Sequence, residues 1–283
     1  MTHPTFRSLV ARLVFLAAPV LLAQGGPMPP PPLMLFVREA VKPGHDAAHA
    51  ATEAAWSRIL AKGQSTDHYL GMTAMTGHPE ALFLMGYRSY ADWGAKQAEL
   101  DQHPALKREV ERAAQQDGEQ LTGVHLVLGA LREDLSYGPP VGIGTMRYLR
   151  VRTMRVKQGM ADAFTQDLKQ ALAGYAKTHF PGSFALYEVE AGTGSPTFIA
   201  IRPLKTLADL DAFDGAVKAL KAAASPEART EMDKAFAQCV AADDTEIYAF
   251  NPMLSFPSPG VIASDPAFWS PKPAKKPAKK PAK

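Results

Sequence analysis

Val41-Lys42-Pro43-Gly44 returns 115 residues later as Val156-Lys157-Gln158-Gly159. Working outward, the same offset carries Tyr69 onto Phe184 and Gly77 onto Gly192. At an offset of 117, Tyr90-Ala91-Asp92-Trp93 falls on Leu207-Ala208-Asp209-Leu210. At 119, Leu135-Ser136-Tyr137 falls on Leu254-Ser255-Phe256. A slowly drifting offset marks two copies of one unit separated by small loop changes. Each copy is therefore a control for the other.

Hydropathy patterning gives each copy the same order of elements. The first copy reads as strands near 33–41, 68–75, 81–87 and 124–131, with helical stretches at 45–62 and 90–117. The second reads as strands near 148–156, 183–190, 197–202 and 245–250, with helical stretches at 160–178 and 207–241. The order β-α-β-β-α-β is the ferredoxin-like split βαβ unit. An antiparallel sheet with helices on one face needs cover for the other. The expected fold is α+β: two tandem ferredoxin-like domains, 33–137 and 146–256, packed sheet to sheet as an intramolecular dimeric α/β barrel. Residues 138–145 are the linker.

The flanks read differently. Arg7 and Arg12 precede the apolar run 13–23, which is too short to cross a bilayer and fits the core of an export signal. Residues 1–23 are thus expected to direct the chain to the periplasm or the extracellular space. Residues 24–32 form a proline-rich spacer. Residues 257–283 read as a disordered Pro/Ala/Lys tail, with Trp269 as a possible pin onto the body.

Composition narrows the function classes. The formal charge is +3, but six lysines sit in the last thirteen residues. Without them and without Arg7 and Arg12, the charge falls to −5. No nucleic-acid-binding core is expected. The single Cys239 cannot form an internal disulfide and lies in an apolar helical pattern, as a small core residue would. Gly-x-Ser-x-Gly, His-Glu-x-x-His, a Walker loop and a cysteine pair are all missing from the sequence, which argues against hydrolase, zincin and nucleotide-binding readings.

The opening strand that runs into Val-Lys-Pro-Gly and a helix, in tandem β-α-β-β-α-β copies, resembles the dimeric α/β-barrel superfamily. Within it, the likeness is to antibiotic-biosynthesis-monooxygenase-like domains, over about 33–137 and 146–256. The resemblance implies a pocket between helices and sheet in each half. In relatives such pockets hold aromatic substrates oxidised without a cofactor, or haem, or packing alone; fold does not choose among them.

The copies differ where a pocket would lie. In the second copy the first helix carries the apolar stripe Met160, Phe164, Leu168, Leu172 and Tyr175. The matching residues of the first copy are His45, His49, Glu53, Ser57 and Leu60, with Trp56 alongside. Two readings stay open. Either the helix is rotated, with Ala48, Ala51, Ala55 and Ile59 toward the sheet and His49 and Glu53 in solvent, or the phase is kept and both project into the pocket. In the second case His49 is the candidate base and Glu53 its orienting partner. Trp56 would stack on a ligand, and Glu39, His68 and His125 are the further candidate substrate contacts. The same three are the available third ligands should His49 and Glu53 bind a metal. No cofactor is expected, with haem and a metal ion left open. Arg150 and Arg152 alternate on one strand face, read as solvent-facing or as lining an anion cavity. Two functions follow. One is an exported small-molecule-binding protein, monooxygenase-like if catalytic. The other is an envelope scaffold whose Lys-rich tail meets an anionic polymer or membrane surface. Self-association is possible in either case.

Overall fold

The computed structural model describes residues 28–270. The expected export signal, 1–23, and the Lys-rich segment 271–283 lie outside the described residues. The first half consists of β1 (Leu33–Val41), α1 (Asp46–Lys62), β2 (Tyr69–Ala74), β3 (Glu80–Tyr87), α2 (Tyr90–Asp101), α3 (Pro104–Gly118) and β4 (Leu121–Leu131). The second half repeats it with β5 (Tyr148–Val156), α4 (Ala161–Lys177), β6 (Ala185–Ala191), β7 (Thr197–Leu204), α5 (Ala208–Ala223), α6 (Pro226–Cys239) and β8 (Val240–Phe250). After β5 and before α4, as after β1 and before α1, the turn contains a glycine in the left-handed region, Gly159 (φ +78°) and Gly44 (φ +81°). Only glycine adopts that conformation freely, which is why Lys-x-Gly is the repeated signature.

The strands close into a barrel in the order β1-β3-β2-β8-β5-β7-β6-β4. The halves do more than pack face to face; they share two hydrogen-bonded seams. At one, Met72, Thr73 and Ala74 pair with Phe250, Ala249 and Tyr248. At the other, β4 pairs with β6, with Gly129 opposite Val189. The barrel interior is filled by Met34, Phe36, Met72, Leu82, Val127, Leu149, Val151, Tyr187, Ile199, Ile201, Tyr248 and Phe250. Further along β1, Arg38 donates to Glu80 (2.6 Å), Glu246 (2.7 Å) and the Tyr248 hydroxyl (2.7 Å), an internal ion network with every partner satisfied. The helices cover the outer face of the barrel.

Three departures from the sequence reading have local causes. The second helical stretch of each copy is two helices, broken where Pro104 and Pro226 take the first turn of a new helix. Strands β4 and β8 start earlier than expected, so α6 ends at Cys239 and Val240 is already strand. Residues 257–270 are folded, not disordered. Ser258 and Asp265 cap α7 (Pro259–Ser264) and α8 (Pro266–Trp269), each with proline in the first turn. Trp269 is buried against Phe250 and donates from Nε1 to Gly144 O at 2.6 Å. The expected pin is in place. Among the described residues no helix is long and apolar enough to cross a membrane.

Candidate functional site

On β1, side chains alternate between the barrel interior and the space beneath the helices. Arg38 points inward, and Glu39 takes the helix side. Helix α1 crosses above, with His49 and Glu53 one turn apart on one face. Ala48 and Ala51 are exposed, so the rotated alternative does not occur and α1 keeps the phase of α4. Helix α3 packs on α1 and brings Asp117, near its C-terminus, to the same place.

Glu39, His49, Glu53 and Asp117 thus converge, each offering one donor atom, with all four atoms within 4.8 Å of one another. His49 is 2% exposed, Asp117 4% and Glu53 5%. His49 Nε2 is 3.0 Å from Glu39 Oε2 and 3.7 Å from Asp117 Oδ1. The imidazole is therefore held by Glu39 instead of the expected Glu53. Asp117 accepts from the Thr52 hydroxyl at 2.5 Å. Glu53 has no hydrogen-bond or ion-pair partner among the described residues. Burial, then the charges of Glu39 and Asp117, push its carboxyl up to about 9. The buried Tyr69 hydroxyl also has no partner. Its acidity is lowered by burial and by the same three carboxylates. Phe83 lies between the two rings, its centroid 6.5 Å from His49 and 5.8 Å from Tyr69.

The second half shows what these positions hold without the polar groups. The turn contacts Lys42 N to Gln120 O (2.9 Å) and Lys157 N to Cys239 O (2.8 Å) confirm the offsets of 115 and 119 across the site. Glu39, His49, Glu53 and Asp117 correspond to Met154, Phe164, Leu168 and Phe236. Those four side chains lie in one apolar cluster with Leu186, Phe198 and Cys239. Cys239 is buried there as a small core residue.

A cleft of about 490 Å³ opens beside α1, lined by Asp46, His49, Ala50, the β2–β3 hairpin from Thr73 to Ala81, Asn251 and Leu254. His49 is the one member of the buried centre on its wall. None of the expected substrate contacts Trp56, Glu39, His68 and His125 lines it. Glu39 belongs to the centre behind it. Trp56 packs in the apolar cluster of Leu60, Tyr69, Phe83 and Val110. His68 lies against Phe256 at 4.8 Å. His125 is exposed, with Nε2 2.8 Å from Gly192 O.

Asp117 lies outside the first helices, where the contrast between His49 and Phe164 and between Glu53 and Leu168 is found. Carrying the offset of 119 into the second helical stretch pairs it with Phe236, the same acid-for-apolar exchange. The arginines of β5 separate. Arg152 forms a double hydrogen bond with Asp243, both at 2.7 Å. Arg150 is half-buried beneath Phe213 of α5, beside Arg202.

No family model matches the chain, and none of the curated proteins compared matches it. Among solved structures, a candidate monooxygenase from Fusobacterium nucleatum subsp. nucleatum is similar, with 9% identity, TM-score 0.51, and coverage of 79% of this chain and 94% of that one. An anthrone oxidase-like protein matches with 15% identity and TM-score 0.50, over 77% of this chain and 91% of that one. A variant of chlorite dismutase from Candidatus Nitrospira defluvii matches with 12% identity and TM-score 0.50, over 80% and 94%. These likenesses show the fold, which is the dimeric α/β barrel with both halves in one chain.

Proposed function

We propose that the chain is a small-molecule-binding enzyme of monooxygenase-like type with one centre, in the first half, and that the second half is its scaffold. The observation that carries this is the internal contrast at four matched positions. Burying three carboxyl groups and an imidazole costs stability that Met154, Phe164, Leu168 and Phe236 do not. Polar groups held at such a cost, beside a cleft, mark a functional centre. His49 is the contact through which the centre reaches a molecule in the cleft, and Glu39 fixes its ring. One of the structures similar in fold is named anthrone oxidase-like, which supports an aromatic substrate as the first class to try. The apolar leader 1–23 supports export.

The test copies the second half into the first. The pair His49→Phe and Glu53→Leu is expected to abolish binding of anthrone and simple phenols, read by tryptophan fluorescence. Its urea midpoint should stay at or above that of the wild type. A variant that still binds these compounds, or a wild type that binds none of them, overturns the reading.

A further inference from the structure

We infer that the centre of the first half is a binding site for one divalent first-row transition-metal ion, held by Glu39, His49, Glu53 and Asp117. This rests on the reading of those residues as functional.

Three carboxyl groups share one buried place. Like charges this close in a buried place repel strongly because little water screens them. Their convergence needs compensation. The hydrogen bonds present supply part of it: Glu39 has His49, and Asp117 has Thr52. Glu53 has neither, although it is nine-tenths buried and its carboxylate lies within 4.8 Å of the other three donors. A proton shared with Glu39 or Asp117 would relieve the repulsion only in part, leaving three carboxyl groups around one imidazole. The Tyr69 hydroxyl nearby is a second buried polar group without a partner. A cation between the four donors gives Glu53 its missing partner and offsets the repulsion in one step.

The donor set selects the ion class. Donors on one ion at about 2.1 Å stand roughly 3–4 Å apart. The separations of 3.0 and 3.7 Å from His49 Nε2 are already in that range. Imidazole with carboxylates suits Mn²⁺, Fe²⁺ or Zn²⁺ better than Ca²⁺ or Mg²⁺, which favour all-oxygen sets. The Thr52 hydroxyl on Asp117 is the kind of outer partner that orients a carboxylate ligand. Four protein donors leave open positions on a six-coordinate ion, so an oxygen donor from a molecule in the cleft could complete it.

The experiment is titration of the chelator-treated full chain with Mn²⁺, followed by loss of the free-ion electron paramagnetic resonance signal and by the unfolding temperature. One Mn²⁺ per chain and a higher unfolding temperature are expected. Glu53→Gln and Asp117→Asn should each weaken binding by about tenfold or more. Their metal-free unfolding temperatures, which report folding independently, should not fall. No binding of Mn²⁺ or Zn²⁺, or binding that both variants leave unchanged, overturns the inference. Anthrone or a phenol bound by metal-free protein that takes up no Mn²⁺ would likewise overturn it, while leaving the cleft reading intact. Mn²⁺ uptake without any aromatic ligand supports it and removes the substrate reading instead.

Discussion

Arg150 and Arg202 stand directly opposite each other on β5 and β7, where the first half pairs Leu35 with Met85. Arg202 is 6% exposed. Its polar partner is a backbone oxygen, Pro181 O at 3.2 Å, and its guanidinium lies 4.3 Å from the Phe213 ring. Neither arginine has a carboxylate within ion-pair distance among the described residues. Burial, then the charge of Arg150, pull Arg202 down to about 10. Like charges facing each other across a strand pair destabilise it. The contact with Phe213 recovers part of that. Installing the first half's pair, Arg150→Leu with Arg202→Met, is expected to raise the unfolding free energy by about 1–2 kcal/mol. Urea denaturation measures it; an unchanged or lower midpoint would show that the guanidinium contacts already balance the cost.

The two hairpin glycines differ in how much they are needed. A Cβ on Gly192 (φ +101°) would meet Leu126 O at 2.0 Å, in the backbone of the neighbouring strand. A Cβ on Gly77 (φ +82°) would meet only the Glu246 side chain, at 3.2 Å. Gly192→Ala is therefore expected to cost about 3 kcal/mol or more, and Gly77→Ala about 1–2 kcal/mol, chiefly from the left-handed backbone. Equal losses in thermal unfolding would contradict the register of the β4–β6 seam.

The C-terminal strap has its own pH response. Asp265 ion-pairs with Arg147 and accepts from Phe268 N, and these bonds hold its carboxyl below the usual range. A depressed folded pKa contributes stability that is present above the unfolded value near 4 and is lost as pH falls through the folded value. Acidification below about pH 4 should release Trp269 before the barrel unfolds. A shift of its fluorescence ahead of the far-ultraviolet transition would show this. Asp265→Asn keeps the cap on Phe268 N but loses the charge, so it should remove this low-pH step.

Tyr69→Phe removes a buried hydroxyl that has no partner. In metal-free protein the change should be neutral or stabilising by about 1 kcal/mol. A loss larger than that would mean the hydroxyl has a partner among bound waters.

Much of the fold was legible in the sequence because the Lys-x-Gly turns and the drifting offset carry topology, and two halves that each need a covered sheet face imply a barrel. The site was half legible. His49 and Glu53 stood out against Phe164 and Leu168, but hydropathy alone favoured the alanine face of α1. Glu39 and Asp117, which complete the centre, come from distant segments that the period of α1 does not relate to it. The fate of Arg150 depended on Phe213 of α5, which strand periodicity cannot register. The order in 257–270 is signalled only by Ser258-Pro259 and Asp265-Pro266, each a capping residue followed by a first-turn proline. Two short helices lack the length for a hydropathy period, so only their caps announce them.

The last barrel strand joins both halves: β8 pairs with β5 in its own half and with β2 in the other. Until residues 240–250 have left the ribosome, β2 and β5 each keep an open edge, and the first half cannot finish as an independent nucleus. Closure of the barrel therefore waits for β8, the last strand of the ring in chain order. Until then the open edges of β2 and β5 are the surfaces a chaperone would have to cover.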